Sequence, residues 1–303
     1  MKKIAVLIPC YNEEQTIKKV VGDFKRELPT ADIHVYDNNS KDQTAMLAQN
    51  AGAIVKREYR QGKGFVVQRM FREIDAEIYV LVDGDDTYPA ERVKNLIDLV
   101  ELGGADMAVG DRLTNGRYAN ENKRGFHNFG NFLVKLLVNV LFKSNLRDIM
   151  SGYRVFSRDF IKNYPVLVGG FQIETDMTIF ALDKNFVIKE LSVEYRDRPE
   201  GSVSKLNTFS DGVKVVMTIF NLLRHYKPLM FFGTLSAFFV GIGILVGLPV
   251  IEEYFLTHYI SKIPSAILAA ALIMLGFFSF TSGIILDSVK KLRSEFIELN
   301  MKR

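Results

Sequence analysis

The chain contains no tryptophan, a single cysteine (Cys10) and four histidines among 303 residues. One cysteine rules out an internal disulfide framework. No GxGxxG and no GxxxxGK[ST] occurs, which disfavours a dinucleotide oxidoreductase and a P-loop NTPase. Glycine and proline together number 30, hydrophobic residues make up 48% and charged residues 24%, so the chain is neither disordered nor collagen-like. The five apolar residues 4–8 after Met1-Lys2-Lys3 stop at Pro9, too short a run for a signal peptide, and read as a first strand. With the lone cysteine, this leads to the expectation that the bulk of the chain stays in a reducing cytoplasm.

Charge is missing from two long stretches. Residues 229–251 and 263–286 carry none, and each is long enough to cross about 30 Å of hydrocarbon. Arg224 and Lys227 precede the first, and Lys290, Lys291, Arg293, Lys302 and Arg303 follow the second. The positive-inside rule then predicts a multi-pass protein of the cell membrane, with the catalytic part and both termini cytoplasmic. Gly243/Gly247 and Ser279/Gly283 offer small faces for helix packing and for a homo-oligomer. Residues 224–303 hold 8 basic and 5 acidic side chains, leaving a net charge of only +1 for 1–223. The excess sits beside the bilayer, and no basic stripe argues for nucleic acid.

In the first 110 residues short apolar runs alternate with helical patterns. Strands are predicted at 4–8, 33–36, 53–56, 78–82 and 107–109, and helices near 13–28, 43–51, 64–74 and 90–102. The alternation implies an α/β fold with a parallel, doubly wound sheet, whose ligands bind at the carboxyl ends of the strands. The segments after strands one, two and four are polar: Tyr11-Asn12-Glu13-Glu14, Asp37-Asn38-Asn39-Ser40-Lys41-Asp42 and Asp83-Gly84-Asp85-Asp86. Asp42 suits a helix cap. An Asp-x-Asp turn can aim two hard oxygen ligands at one Mg²⁺ or Mn²⁺ that substrate phosphates complete.

The motifs Ile8-Pro9-Cys10-Tyr11-Asn12-Glu13-Glu14, Asp37-Asn38-Asn39-Ser40-Lys41-Asp42-Gln43-Thr44, Gly62-Lys63-Gly64, Asp83-Gly84-Asp85 and Ser151-Gly152-Tyr153-Arg154 resemble those of family 2 glycosyltransferases in order and spacing. Within that family the chain is similar to polyisoprenyl-phosphate glycosyltransferases related to dolichyl-phosphate-mannose synthases, over about residues 3–206. The resemblance implies a GT-A type, mostly parallel sheet in a cytoplasmic domain 1–206. An amphipathic juxtamembrane helix 207–228, spans 229–251 and 263–286 and a cytoplasmic tail 287–303 would follow. It also implies inverting transfer of a sugar, a UDP-hexose ahead of GDP-mannose, to a polyprenyl phosphate such as undecaprenyl phosphate, and relatives include a tetramer.

The resemblance assigns Pro9, Tyr11, Glu13 and Asp37 to the nucleotide, and Lys63 to a donor phosphate. It gives Asp83 and Asp85 to the metal and diphosphate, with Thr87 where some relatives have a third ligand. Arg112, Arg124, Arg198 and Lys205 fall in the acceptor-phosphate region, and Asp148 is implied to be a base or an orienting group. Asn38 and Asn39 stand where relatives often carry Asp-Gly, so Asn38 reads as a turn residue. Two apolar faces, one over 126–141 and one over 209–223, are candidates for the membrane interface. A processive polysaccharide synthase is excluded because its Gln-x-x-Arg-Trp motif needs tryptophan. The contrasting readings are a family 2 glycosyltransferase acting on another membrane-surface acceptor and a catalytically inactive membrane scaffold, the latter to be separated by nucleotide binding.

Overall fold

In the computed structural model, residues 2–114, 125–166, 169–170, 172–196, 220–221 and 223–301 are described, with backbone alone at 125–131, 297–298 and 300–301. The chain divides into two compact units, Met1–Val215 and Val216–Arg303.

The first unit is built on a seven-stranded sheet. Its strands are β1 (Ile4–Cys10), β2 (Asp32–Asp37), β3 (Ile54–Arg57), β4 (Ile78–Leu81), β5 (Met107–Asp111), β6 (Arg154–Ser157) and β7 (Ile188–Ser192), in the order β3-β2-β1-β4-β6-β5-β7. β1 pairs parallel with β2 and β4, β2 with β3, and β5 with β7. The sheet is not wholly parallel, because β6 runs antiparallel to both β4 and β5. The five strands read from sequence are all present; β6 and β7 were not anticipated, since their runs are short and lack clear turn signals on both sides.

The helices of this unit are α1 (Ile17–Glu27), α2 (Thr44–Asn50), α3 (Lys63–Glu73), α4 (Val93–Glu101), α5 (Gly125–Phe142), α6 (Arg158–Asn163) and α7 (Ile173–Asp183). Alternation along the buried β1 feeds two cores. Val6 and Ile8 pack with Phe24 of α1 and Leu96 of α4 on one face, while Ala5 and Leu7 join Met70 of α3, Phe160 of α6 and Met177 of α7 on the other. The first helix begins at Ile17 rather than near Glu13. Its expected first turn is held instead by the β2 loop, with the amides of Asn12, Glu13 and Glu14 bonding to Ser40 Oγ (2.8 Å), Thr44 Oγ1 (2.8 Å) and Asp42 Oδ2 (3.2 Å). Asp42 also accepts the Thr44 amide at 3.0 Å, so it serves the start of α2 and a cross-loop contact together.

α5 is apolar on more than one side. Val134 and Val138 are buried, whereas Phe132, Leu136 and Val140 of the expected apolar face are exposed. Of the second expected interfacial segment, residues 209–219 lie outside the described residues.

The second unit contains α8 (Pro228–Thr257) and α9 (Ile263–Met301). Both are long and apolar enough to cross a membrane, and only 6% and 11% of their apolar windows are buried. Such exposure separates them from the core helices of a water-soluble protein. α9 continues beyond the apolar run at 286, so much of the expected tail is helical. The small residues lie in the seam between the two helices. A Cβ on Gly243 would stand 2.8 Å from Ile273 Cγ1, one on Gly276 would stand 2.6 Å from Val240 Cγ2, and Ser279 Oγ donates to Phe232 O at 3.1 Å.

Candidate active site

Three strand ends are drawn together by side-chain contacts to backbone. Thr16 Oγ1 donates to Gly84 O at 2.6 Å, tying the β1 loop to the turn after β4. Asp37, 3% exposed at the end of β2, accepts the Ser40 amide at 3.2 Å. Asn38 proves to be more than a turn residue. Its Nδ2 donates to Glu58 O (3.0 Å) and Arg60 O (2.8 Å), and its Oδ1 accepts from Gly62 N at 2.7 Å and Gln61 Nε2 at 3.2 Å. An aspartate lacks the two donors that these carbonyls need, which explains the amide at a position where relatives often carry the acid.

Asn38 thereby fixes the loop that presents Lys63. Gly62 has φ 137°, and a Cβ there would lie 2.2 Å from Gly169 O, so only glycine fits. Lys63 Nζ donates to Asp83 Oδ1 at 2.5 Å and to Glu174 Oε1. Burial opposes the ammonium charge, but the two carboxylates outweigh it and hold the Lys63 pKa above its ordinary value. Glu174 was missed by sequence reasoning. The available signal was an acid in a helix whose neighbours Ile173, Met177, Ile179 and Phe180 are all core residues.

Beyond Asp83, Asp85 is 5% exposed and accepts the Thr87 hydroxyl at 2.6 Å. Tyr88 OH accepts the Gly152 amide at 2.9 Å, which links this turn to the Ser151-Gly152-Tyr153-Arg154 segment. Gly152 abuts the first carboxylate, since a Cβ on it would lie 2.3 Å from Asp83 Oδ2. Arg154 is wholly buried and donates to Ser151 O (2.8 Å), Ile149 O (2.7 Å) and Thr178 Oγ1 (2.9 Å). Its motif was noted in the sequence, but its task of shaping the 149–151 turn was not.

That turn follows Asp148, which is 3% exposed and gripped by Arg112, Nε to Oδ2 at 2.7 Å and Nη2 to Oδ1 at 3.0 Å. Burial pushes the Asp148 carboxyl up, yet the guanidinium wins and holds its pKa below the ordinary value. Glu190 on β7, also missed, accepts the Asp148 amide at 2.9 Å and the Arg147 amide at 2.9 Å. The Arg112 guanidinium stacks over the Tyr195 ring at 5.7 Å, and Tyr195 meets Tyr88 edge-on. A contiguous set of contacts therefore runs from Lys63 and Asp83 through Tyr88 to Arg112 and Asp148. Pro9, Tyr11 and Glu13 stand at the end of β1 and in its loop, beside Asp37. Arg124, Arg198 and Lys205 lie outside the described residues.

A family model, Glycosyl transferase family 2, matches residues 5–164. The chain belongs to this glycosyltransferase family. Glycosyltransferase AglJ of Haloferax volcanii is 29% identical over 294 residues, 96% of this chain and 95% of that one. A dolichyl-phosphate hexose transferase of the same organism is 28% identical over 216 residues, 71% of this chain and 92% of its own. Among solved structures, glucosyl-3-phosphoglycerate synthase from Mycobacterium tuberculosis, in complex with Mn²⁺, UDP-glucose and glycerol 3-phosphate, superposes with a TM-score of 0.58. It is 22% identical and covers 75% of this chain and 80% of its own, a likeness of fold. The glycosyltransferase thus has a GT-A-like mixed sheet, its polar residues gathered at one end, and two apolar C-terminal helices.

Proposed function

We propose that this glycosyltransferase moves a hexose from a nucleotide diphosphate sugar, a UDP-hexose first, to a polyprenyl phosphate such as undecaprenyl phosphate, with inversion. The observation that carries the proposal is the contact chain joining the acidic turn of Asp83 and Asp85 to the Arg112–Asp148 pair. One end suits a nucleotide diphosphate and its cation; the other suits a second phosphate. The relative named for dolichyl phosphate and the two apolar helices favour an acceptor that resides in a bilayer.

The donor set fits Mg²⁺ or Mn²⁺. Among the described residues no cluster of three or more His, Cys, Asp or Glu forms a self-sufficient metal cage. Two carboxylates on one turn match an ion whose remaining ligands are diphosphate oxygens and water. Bound there, the ion would neutralise the charge that builds on the departing nucleoside diphosphate. Asp37, Glu13 and Tyr11 would hold the nucleoside, the carboxylates accepting its N–H or O–H groups. Lys63 would meet the diphosphate.

Arg112 would receive the acceptor phosphate, helped by Arg124, Arg198 and Lys205. With a second pKa near 6, that phosphate is already mostly dianionic at neutral pH. One of its oxygens bonds to the anomeric carbon as the bond from that carbon to the donor phosphate breaks, the electron pair leaving with the nucleoside diphosphate. Since the nucleophile brings no proton that must be removed, Asp148 is assigned to orienting Arg112 rather than to general base catalysis.

In the second unit a groove of about 510 Å³ is lined by Phe220, Phe231, Phe232, Leu235, Thr234 and Arg224. Its aromatic and apolar walls suit an isoprenoid chain. The basic residues flanking α8 and α9 support an orientation with both termini cytoplasmic. A homo-oligomer, tetramer included, would use outward faces of these helices, because the glycine seam is filled within the hairpin. The test is to incubate the full chain in nanodiscs with undecaprenyl phosphate and a panel of nucleotide sugars, with and without Mg²⁺. A lipid product gaining one hexose by mass is expected; turnover only with a water-soluble acceptor would refute the proposal.

A further inference from the structure

Lys63 sits between two carboxylates with different surroundings. Its side chain is 10% exposed and that of Glu174 8%, whereas Asp83 is 28% exposed. Both oxygens of Asp83 are closely approached: Oδ1 accepts from the ammonium, and Oδ2 lies against Gly152, where a Cβ would come within 2.3 Å. An ammonium on Oδ1 and a divalent cation on the same oxygen are mutually exclusive, by space and by like charge. Glu174, in the first turn of α7, provides a second anionic anchor that does not belong to the acidic turn. The loop around Lys63 is pinned by Asn38 and by the close approach of Gly62 to Gly169, so the anchor of its side chain is free to change while its backbone is not.

We infer that Lys63 is an exchangeable counter-ion of Asp83, and that Glu174 is the positioning residue that retains it during the exchange. The inference rests on the reading of Asp83 as a cation ligand. Lys63 lowers the affinity of Asp83 for a divalent cation on its own. When a nucleotide diphosphate arrives with the cation, the ammonium transfers to the new anion and stays bonded to Glu174, while Asp83 turns to the cation. Cation and nucleotide consequently bind as a pair, each raising the affinity for the other by the same factor. A diphosphate is required for this exchange, because only an added anion compensates the ammonium that leaves Asp83.

Mn²⁺ binding to the full chain, read by electron paramagnetic resonance with and without UDP, tests it. Wild type is expected to bind Mn²⁺ weakly alone and roughly tenfold or more tightly with UDP, within the usual range of coupling between sites. Lys63→Gln keeps a hydrogen-bond donor but no charge. It should bind Mn²⁺ alone about tenfold more tightly than wild type, and should lose most of the gain from UDP. Glu174→Gln should do the reverse, weakening Mn²⁺ and UDP binding together by fixing the lysine on Asp83. Circular dichroism checks folding; should Lys63→Gln unfold, the apolar double variant K63M/E174M takes its place and carries the same expectation. Unchanged or weaker binding of Mn²⁺ alone in the charge-neutral variant would overturn the exchange while leaving Asp83 as a ligand. If Asp83→Asn bound Mn²⁺ and UDP as wild type does, the underlying reading would fall with it.

Discussion

Arg112 holds Asp148 with two parallel N–H to oxygen bonds of 2.7 and 3.0 Å, while the Arg112 backbone amide also donates to Asp148 Oδ2 at 3.2 Å. The carboxylate is thereby a scaffold for the guanidinium. Asp148→Asn leaves an amide that cannot accept the whole fork, and Arg112→Lys replaces the fork by a point charge. Each is expected to lower kcat/KM for the polyprenyl phosphate roughly tenfold or more, by analogy with the value of a charge-assisted hydrogen bond. UDP affinity should stay within about twofold, as measured by calorimetry, because the effect concerns only the acceptor.

The same pair sets a pH dependence. The folded pKa of Asp148 lies below its unfolded value, so its contribution to stability is fully present above the ordinary carboxylate pKa and is lost as pH falls through the lower folded value. Between pH 5 and 8 this residue gives wild type no slope. In Arg112→Met the buried carboxylate loses its partner and its pKa rises. Burial then pushes the carboxyl above its ordinary value, and stability should fall as pH rises above the ordinary carboxylate pKa, a reversal of the wild-type trend visible in thermal melts.

Asn38→Asp removes the donors to the buried carbonyl of Glu58 and to the part-buried carbonyl of Arg60. A loss of about 2 kcal/mol is expected, chiefly from leaving the buried Glu58 carbonyl unsatisfied. The melting temperature of the catalytic unit should drop by roughly 5–10 °C. Asn38→Ala should be at least as destabilising, whereas a mere turn residue would tolerate both changes.

Gly152→Ala places a methyl group 2.3 Å from Asp83 Oδ2. The carboxylate is the movable partner, so it swings aside and the cost falls on the site rather than on folding. We expect kcat/KM to fall roughly tenfold or more, a displacement effect, with the melting temperature within a few degrees of wild type.

In the hairpin, a Cβ on Gly247 would be 3.4 Å from Ala269 Cβ. Cysteines at these two positions are close to disulfide spacing and should cross-link under mild oxidation in membranes. Adding Gly276→Leu, at a contact where even a Cβ meets Val240 Cγ2 at 2.6 Å, should abolish the cross-link by parting α8 from α9.

Much of the protein was legible in one dimension. The alternation of apolar runs and amphipathic segments encodes five strands and four helices because each element must bury one face. The uncharged runs encode two helices long enough to span a bilayer, since spanning length is a local property. Polar residues after successive strands point to one end of the sheet, as parallel connections must. Contacts between distant segments were not legible. Glu174 reaches Lys63 across 111 positions, and Glu190 reaches the amide of Asp148 from β7 across 42. Neither lies in a motif that reads as catalytic. The inserted antiparallel β6 places the Arg154 turn between β4 and β5, and so brings Gly152 against Asp83 and Asp148 near Arg112. Residue types and spacing determined which side chains carry charge and which segments are apolar. Only tertiary structure decided which charges neutralise one another, because a pairing energy depends on separation and burial, and the chain fixes both only when the sheet closes.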